Sequence, residues 1–439
     1  MSKRLFIKST LILILAGFSS RIMGFFYRIF LSQTIGAQGM GIYQLLMPLQ
    51  VLIMAVTTSG IQTALSRLCA AKIALKKKNL ARDYLCIGTS LAFFLSVLLS
   101  VLVRRHSIFL AEQILKIPDG GSYVFLLSWS FPFGTLHSCI TSYYYARKKT
   151  LIPSVIQLLE QFTRVGSTWI IYQILLSREQ PVTPSISIGG TLISEMAAVL
   201  IILFFIGMDF QKDHYRPGSA ENLPAILNDI LQMSVPLSLN RILLTLLSAA
   251  EVTLIPQMLM KSGLDQSSAL SVYGIFTGMA LPVILFPSAV TNSVSVLLMP
   301  SIAELQALGQ NKKIQDAALT ICSMCLLLGI LCTFLFFLLG PFAGSLLFHN
   351  STAGTYIRTL SFACPFQYLN VTLSGILNGL GKSGRNLLHN AAAISLRIFF
   401  VVRIIPAVGI RGYFFGLLFG ELLLCVLHTL SLRSVFLRP

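Results

Sequence analysis

Eleven ionisable side chains interrupt long apolar stretches of this 439-residue chain: Arg21, Arg28, Glu160, Arg164, Glu195, Arg241, Glu251, Arg358, Arg397, Arg403 and Glu421. A charge at membrane depth costs about 2.5–3.5 kcal/mol on insertion scales, so each such group is paired or serves a ligand. Seven are positive and four negative. A guanidinium is weakly hydrated, stays charged and presents a fork matched to phosphate or carboxylate oxygens. The arginine surplus therefore suits an anionic headgroup such as a pyrophosphate, and it repels an organic cation.

Spacing divides these residues by role. Arg21 and Arg28 are seven apart, two helical turns, so they project from one helix face about 10.5 Å apart along the axis. That face lines water or an anionic ligand at Arg21, while Arg28, nearer the helix end, is equally placed to snorkel to headgroups. Glu160 and Arg164 are four apart, in the order that favours a neutralising ion pair along one helix. Arg241 and Glu251 lie off a common face and do not pair within their helix. Arg241, near a helix end, is a ligand contact or headgroup anchor. Glu251 at mid-depth is protonated, paired with an arginine from the other half of the chain, or a proton or cation site. Of Arg397 and Arg403, one is expected to face a cavity and the other the interface. Glu195 and Glu421 read as packing or pairing residues.

The elements that position these groups follow from composition. With 55% apolar and only 11% charged residues, against about 25% charged in a globular protein, and a mean hydropathy of +0.79, the chain lacks a water-facing surface. Roughly 240 apolar residues at about 20 per membrane helix make about twelve spans. The remainder averages about 15 residues per loop, too few for a soluble catalytic domain. Spans are expected near 9–31, 40–63, 84–103, 122–145, 152–176, 187–207, 234–257, 272–299, 317–347, 356–378, 385–405 and 411–432. The expected fold is an all-α polytopic membrane protein of two six-helix lobes, residues 1–218 and 219–439. The longest polar connection, from Met208, joins them, with a short surface helix around 223–230. One set of alternating loops and tails carries 20 Lys and Arg and the other six, which places both termini in the cytoplasm, under the cytoplasmic membrane. Arg104 and Arg105 run against that bias and are expected to snorkel. The net charge of +18 is thus an orientation signal, with no nucleic-acid partner implied.

The chain also resembles itself at an offset of 233 residues. "GIYQLLMPLQVLIMAVTTSG" from Gly41 parallels "GIFTGMALPVILFPSAVTNS" from Gly274. Such repeats build transporters whose two halves rock about a midplane site.

Other chemistry is absent. There is no Walker-type loop and no H-E-x-x-H, and the six histidines are scattered, so no catalytic, metal or cofactor site is expected. Cys322 and Cys325 form C-x-x-C within an apolar run and read as packing residues. "GLGKSG" from Gly379 reads as a basic turn between two membrane helices. The N-terminal "MSKRLFIKSTLILILAGFSSR" imitates a signal peptide but reads as an uncleaved first span.

Four stretches together resemble the stage V sporulation protein B branch of the multidrug/oligosaccharidyl-lipid/polysaccharide (MOP) exporter superfamily. They are "SSRIMGFFYRIFLSQTIGAQGMGIYQLLMP" from Ser19, "SYYYARKKTLIPSVIQLLEQFTRV" from Ser142, "LPVILFPSAVTNSVSVLLMPSIAE" from Leu281 and "LSGILNGLGKSGRNLLHNAAAISLRIFFVVRIIPAVGIRGY" from Leu373. The resemblance implies two six-helix lobes in a V, and alternating-access flipping of a polyprenyl-pyrophosphate-linked saccharide for polysaccharide or spore-cortex peptidoglycan. It also implies that Arg21, in a Ser-Arg-x-x-Gly pattern, contacts the headgroup; Arg28 falls one residue beyond the second arginine of that pattern. The candidate substrate-binding residues are Arg21, Arg28, Arg241 and Arg397. Glu251, Glu160 and Arg164 are the coupling or ion-pair residues, with a proton or cation as the coupling partner. The alternatives are a cation or drug antiporter of the same superfamily and a non-transporting scaffold for cell-wall assembly.

Overall fold

In hydrocarbon a backbone N–H has only other backbone groups to bond, so an apolar chain of this length resolves into helices. The structure, a computed structural model, describes residues 3–212, 223–308 and 310–436, with no strand among them. The helices are α1 (Lys3–Thr34), α2 (Gly36–Met54), α3 (Gly60–Ala74), α4 (Lys78–Arg105), α5 (Gly121–Ser128), α6 (Ser130–Ala146), α7 (Leu151–Ser177), α8 (Ser185–Lys212) and α9 (Leu223–Lys261). There follow α10 (Gln266–Gly274), α11 (Leu281–Leu285), α12 (Ser288–Ala307), α13 (Asn311–Phe348), α14 (Ser351–Leu360), α15 (Cys364–Gly379), α16 (Ser383–Arg403), α17 (Ile405–Val408) and α18 (Arg411–Phe436). Every expected span lies mostly on helix, with short breaks at Trp129, at Phe286 and Pro287, and at Ile404. Seven stretches are by themselves long and apolar enough to cross a bilayer. The chain is an all-α, multi-pass membrane protein.

The interruptions are informative. A π turn at Ala55–Ser59 links α2 to α3, and another at Ile275–Ala280 links α10 to α11. Both fall in the repeated stretch, and π turns concentrate at functional positions. The expected surface helix at 223–230 is not separate. It runs on into the seventh span as the 39-residue α9, which stays helical through Pro236 and Pro256 although neither has an N–H to give to the backbone ladder. The expected 218/219 boundary lies outside the described residues.

Packing divides the chain into two compact units, residues 1–27 with 45–246 and residues 28–44 with 247–439. In the first, Leu65, Tyr84, Cys139, Tyr143, Ile202 and Ile230 form a core contributed by α3, α4, α6, α8 and α9. Gly190 lets α8 close onto Thr168 and the Arg164 carbonyl of α7. In the second, Leu298, Ile302, Ile314, Leu373, Ile376 and Leu432 join α12, α13, α15 and α18. Lipid offers no hydrophobic drive between helices, so close backbone approach through small residues does this work. The two glycines that open the repeat illustrate it: a methyl on Gly41 would strike the Leu270 carbonyl, and one on Gly274 would strike Ala37 and Gly41.

Several polar details are settled locally. The Arg104 guanidinium stacks on Trp129 at 3.7 Å from the ring centroid, which accommodates a charge that ran against the loop bias. Asp265 caps α10, accepting from the Ser267 and Ser268 amides at 3.1 and 3.2 Å, and hydrogen bonds from these two serines hold its carboxyl well below the usual carboxylate range. All eight cysteines are free, and Cys325 Sγ lies 3.1 Å from Thr372 Oγ1. The "GLGKSG" segment makes the α15–α16 turn, with Gly381 at φ +70°.

Candidate functional site

Both units hold a buried charged cluster built on the expected acids. In the first, α7 supplies Glu160 and Arg164 one turn apart, and Arg164 Nη2 donates to Glu160 Oε1. Arg164 also donates to Gln161 Oε1 at 3.4 Å and, through Nε, to Ser194 Oγ at 3.3 Å. His137 of α6 stands between two carboxylates, its Nδ1 3.8 Å from Glu160 Oε2 and 3.7 Å from Glu195 Oε2. Glu195 is 9% exposed, and its Oε2 has no hydrogen-bond partner. A hydroxyl cluster, Thr57 and Thr58 of the π turn with Thr135 of α6, is tied together by a 3.0 Å Thr58–Thr135 bond.

In the second unit Glu251 of α9, 3% exposed, is held at both oxygens by Arg397 of α16: Nε donates to Oε1 at 2.7 Å and Nη2 to Oε2 at 3.1 Å. The Tyr413 hydroxyl donates to the same Oε1 at 2.7 Å. Glu421, one turn pair further along α18, lies 3.8 Å from Arg397 Nη1 and accepts from Asn370 Nδ2 at 2.7 Å. Gly420 makes room for the Arg397 stem. Tyr413 packs edge-on against Phe276 of the second π turn, with ring centroids 5.2 Å apart. Two carboxylates therefore share one guanidinium, an arrangement with one negative charge more than positive when both acids are ionised.

The expected residues separate accordingly. Glu160 and Arg164 form the intrahelical pair that their spacing implied. Glu251 does pair with an arginine, but with Arg397 of its own unit and not with one from the other half of the chain. Arg397, expected as a ligand contact, has two N–H donors occupied by Glu251. Arg21 and Arg241 are exposed and Arg28 is half-buried. Among the described residues none of these three has a carboxylate within ion-pair distance, whereas Glu160, Glu195, Glu251 and Glu421 each have a basic group within 4 Å. His137, Tyr413 and Asn370 carry no sequence signal of their own. They became partners only because α6, α15 and α18 fold against the helices that bear the acids.

Residues 6–306 match the model of a family described as "Polysaccharide biosynthesis protein". The chain belongs to that family. It is 24% identical to Stage V sporulation protein B of Bacillus subtilis (strain 168), over 99% of this chain and 85% of the relative. Among solved structures, the inward-facing form of a multidrug resistance MATE family transporter of the MOP superfamily superposes with a TM-score of 0.69 at 16% identity, covering 95% of this chain and 94% of that one. A MOP superfamily transporter from Pyrococcus furiosus, whose binding pocket is described as having reverse polarity, gives a TM-score of 0.67 at 15% identity, covering 99% and 96%. This member of the polysaccharide biosynthesis protein family therefore has the MOP transporter fold, as the four sequence stretches had implied.

Proposed function

We propose that this protein is a membrane transporter that flips a polyprenyl-pyrophosphate-linked saccharide across the cytoplasmic membrane by alternating access, with both termini in the cytoplasm. The saccharide is a lipid II-like or polysaccharide precursor, and similarity to Stage V sporulation protein B supports spore-cortex peptidoglycan as its destination. The observation that carries the reading is the charge balance. Once the buried carboxylates are matched with Arg164, His137 and Arg397, the groups left without an acidic partner among the described residues are positive and include Arg21, Arg28 and Arg241. A pyrophosphate is the complement of such groups, and a cationic drug is not. Glu251, with Arg397 and Tyr413, is the coupling centre: protonation or cation binding at the shared acids changes their hold on Arg397, and such a differential interaction drives a conformational equilibrium.

The test is flipping of a fluorescent lipid-linked saccharide by the reconstituted protein. Losing one charge-assisted contact to the headgroup is worth about 1.5–3 kcal/mol, so Arg21→Ala is expected to slow flipping by about ten- to a hundredfold. Arg21→Lys keeps the charge and loses the fork, so it recovers only part of the rate. Glu251→Gln is expected to remove the dependence of the rate on the coupling ion gradient. Parent rates in both Arg21→Ala and Glu251→Gln would refute the assignment, and uptake of organic cations with no lipid flipping would establish the antiporter instead.

A further inference from the structure

In the second unit a cavity of about 580 Å³ lies between α14 and α18. Its walls include Tyr356, Leu360, Phe362, Phe414 and Phe415, and Arg411 stands at its rim. A second hollow of about 320 Å³, walled by Ile330, Thr333, Phe334, Phe337 and Pro365, shares one side chain with the first, Phe362, which is 51% exposed. The second hollow also has a cation beside it: the Arg358 guanidinium sits 4.3 Å from the Phe337 ring centroid. Both arginines are exposed, and neither has an acidic partner among the described residues. α14 with α15 and α18 are separated by the single returning helix α16, so α14 and α18 run parallel and begin at the same end of the unit. Arg411 opens α18 and Arg358 lies two turns into α14, so both charges stand toward that end.

We propose that this double hollow is a binding site for a two-chain anionic phospholipid of the bilayer, its phosphate held by Arg411 and Arg358 and its acyl chains divided by Phe362. Two apolar hollows parted by one aromatic ring suit two chains. Positive charge at Arg411, the first residue of α18, and at Arg358, two turns into α14, fits a phosphate near headgroup level. The lining, mostly aromatic and aliphatic with a few polar groups at one end, is that of a ligand site, and its volume lies in the usual range. The Tyr356 ring, buried edge-on against Phe414 at 5.0 Å, gives the first hollow a rigid wall. Nothing in this site draws on Arg21, Arg241 or the Glu251 cluster, so it stands or falls apart from the flipping reading.

The experiment is mass spectrometry of the intact, full-length protein released from detergent in the presence of equimolar phosphatidylglycerol and phosphatidylcholine. A basic side chain near an anionic surface contributes about fivefold in binding, so with two arginines the parent is expected to retain one phosphatidylglycerol with a preference of about 25-fold. Arg411→Gln is expected to reduce the preference by about fivefold, Arg358→Gln/Arg411→Gln to abolish it, and Arg411→Lys to preserve it. A photoreactive phosphatidylglycerol is expected to label α14 and α18. Equal retention of the two lipids by the parent overturns the proposal, and so does labelling confined to other helices. Stoichiometric displacement of phosphatidylglycerol by a polyprenyl phosphate likewise overturns it, because the hollow then belongs to a single-chain isoprenoid.

Discussion

Glu251→Ala is expected to destabilise the protein by about 3–5 kcal/mol, because removing one partner of a buried ion pair strands the other charge. Arg397 would keep only Glu421, at 3.8 Å, and the Tyr413 hydroxyl would lose its acceptor. For a unit of about 200 residues this corresponds to a fall of roughly 6–20 °C in the thermal midpoint of the purified protein. Glu251→Gln keeps an acceptor for both Arg397 and Tyr413 and should fall by less. The deciding comparison is Glu251→Leu/Arg397→Met. Replacing both charges with apolar groups of similar volume removes their desolvation penalty along with the attraction, so the double variant is expected to recover part of the lost stability, with Glu421 left on Asn370 and Tyr413 without its acceptor, while failing to couple transport to an ion gradient. A double variant as unstable as the sum of its parts would mean that the pair does not act as a unit.

Gly274→Val is expected to prevent accumulation of folded protein. The added side chain meets main-chain atoms, the Ala37 carbonyl and the Gly41 amide, and main chain inside a helix does not yield as a flexible side chain would. Overpacking typically costs about 1–3 kcal/mol when side chains move aside. Here α2 and α10 would have to separate, so the loss should reach or exceed the upper end of that range. Gly41→Val should behave alike, since its side chain is directed at the Leu270 carbonyl. Monodisperse yield after detergent extraction is the readout, with Gly207→Val, where nothing lies within 4 Å of an added methyl, as the tolerated control. Parent-level yield from Gly274→Val would show that these helices are not held in backbone contact.

Much of the fold was legible in the chain because hydrocarbon imposes a simple requirement: about 20 apolar residues per crossing, with every backbone group bonded locally. All twelve expected spans are largely helical for that reason. The Glu160–Arg164 pair was legible because its geometry is internal to one helix. Even the glycines at 41 and 274 were marked by the repeat, although their mutual contact was not. The helix breaks at Trp129, at Ser361–Ala363 and at the second π turn were not foreseen, and neither was the fusion of the 223–230 segment into α9. These depend on how a helix packs against its neighbours more than on its own residues.

The sequence by itself determined that this is a many-helix membrane protein with buried charge, which way its basic loops are biased, and which exporter family its motifs resemble. Only the tertiary structure decided which charge meets which. Glu251 and Arg397 are 146 positions apart, and Asn370 reaches Glu421 from 51 positions away. His137 lies between Glu160 and Glu195, one on each of two other helices. Helical periodicity relates residues three, four or seven apart and says nothing about partners on another helix. The choice of partner rests on how the helices pack, as where Gly420 of α18 lets the Arg397 stem come close.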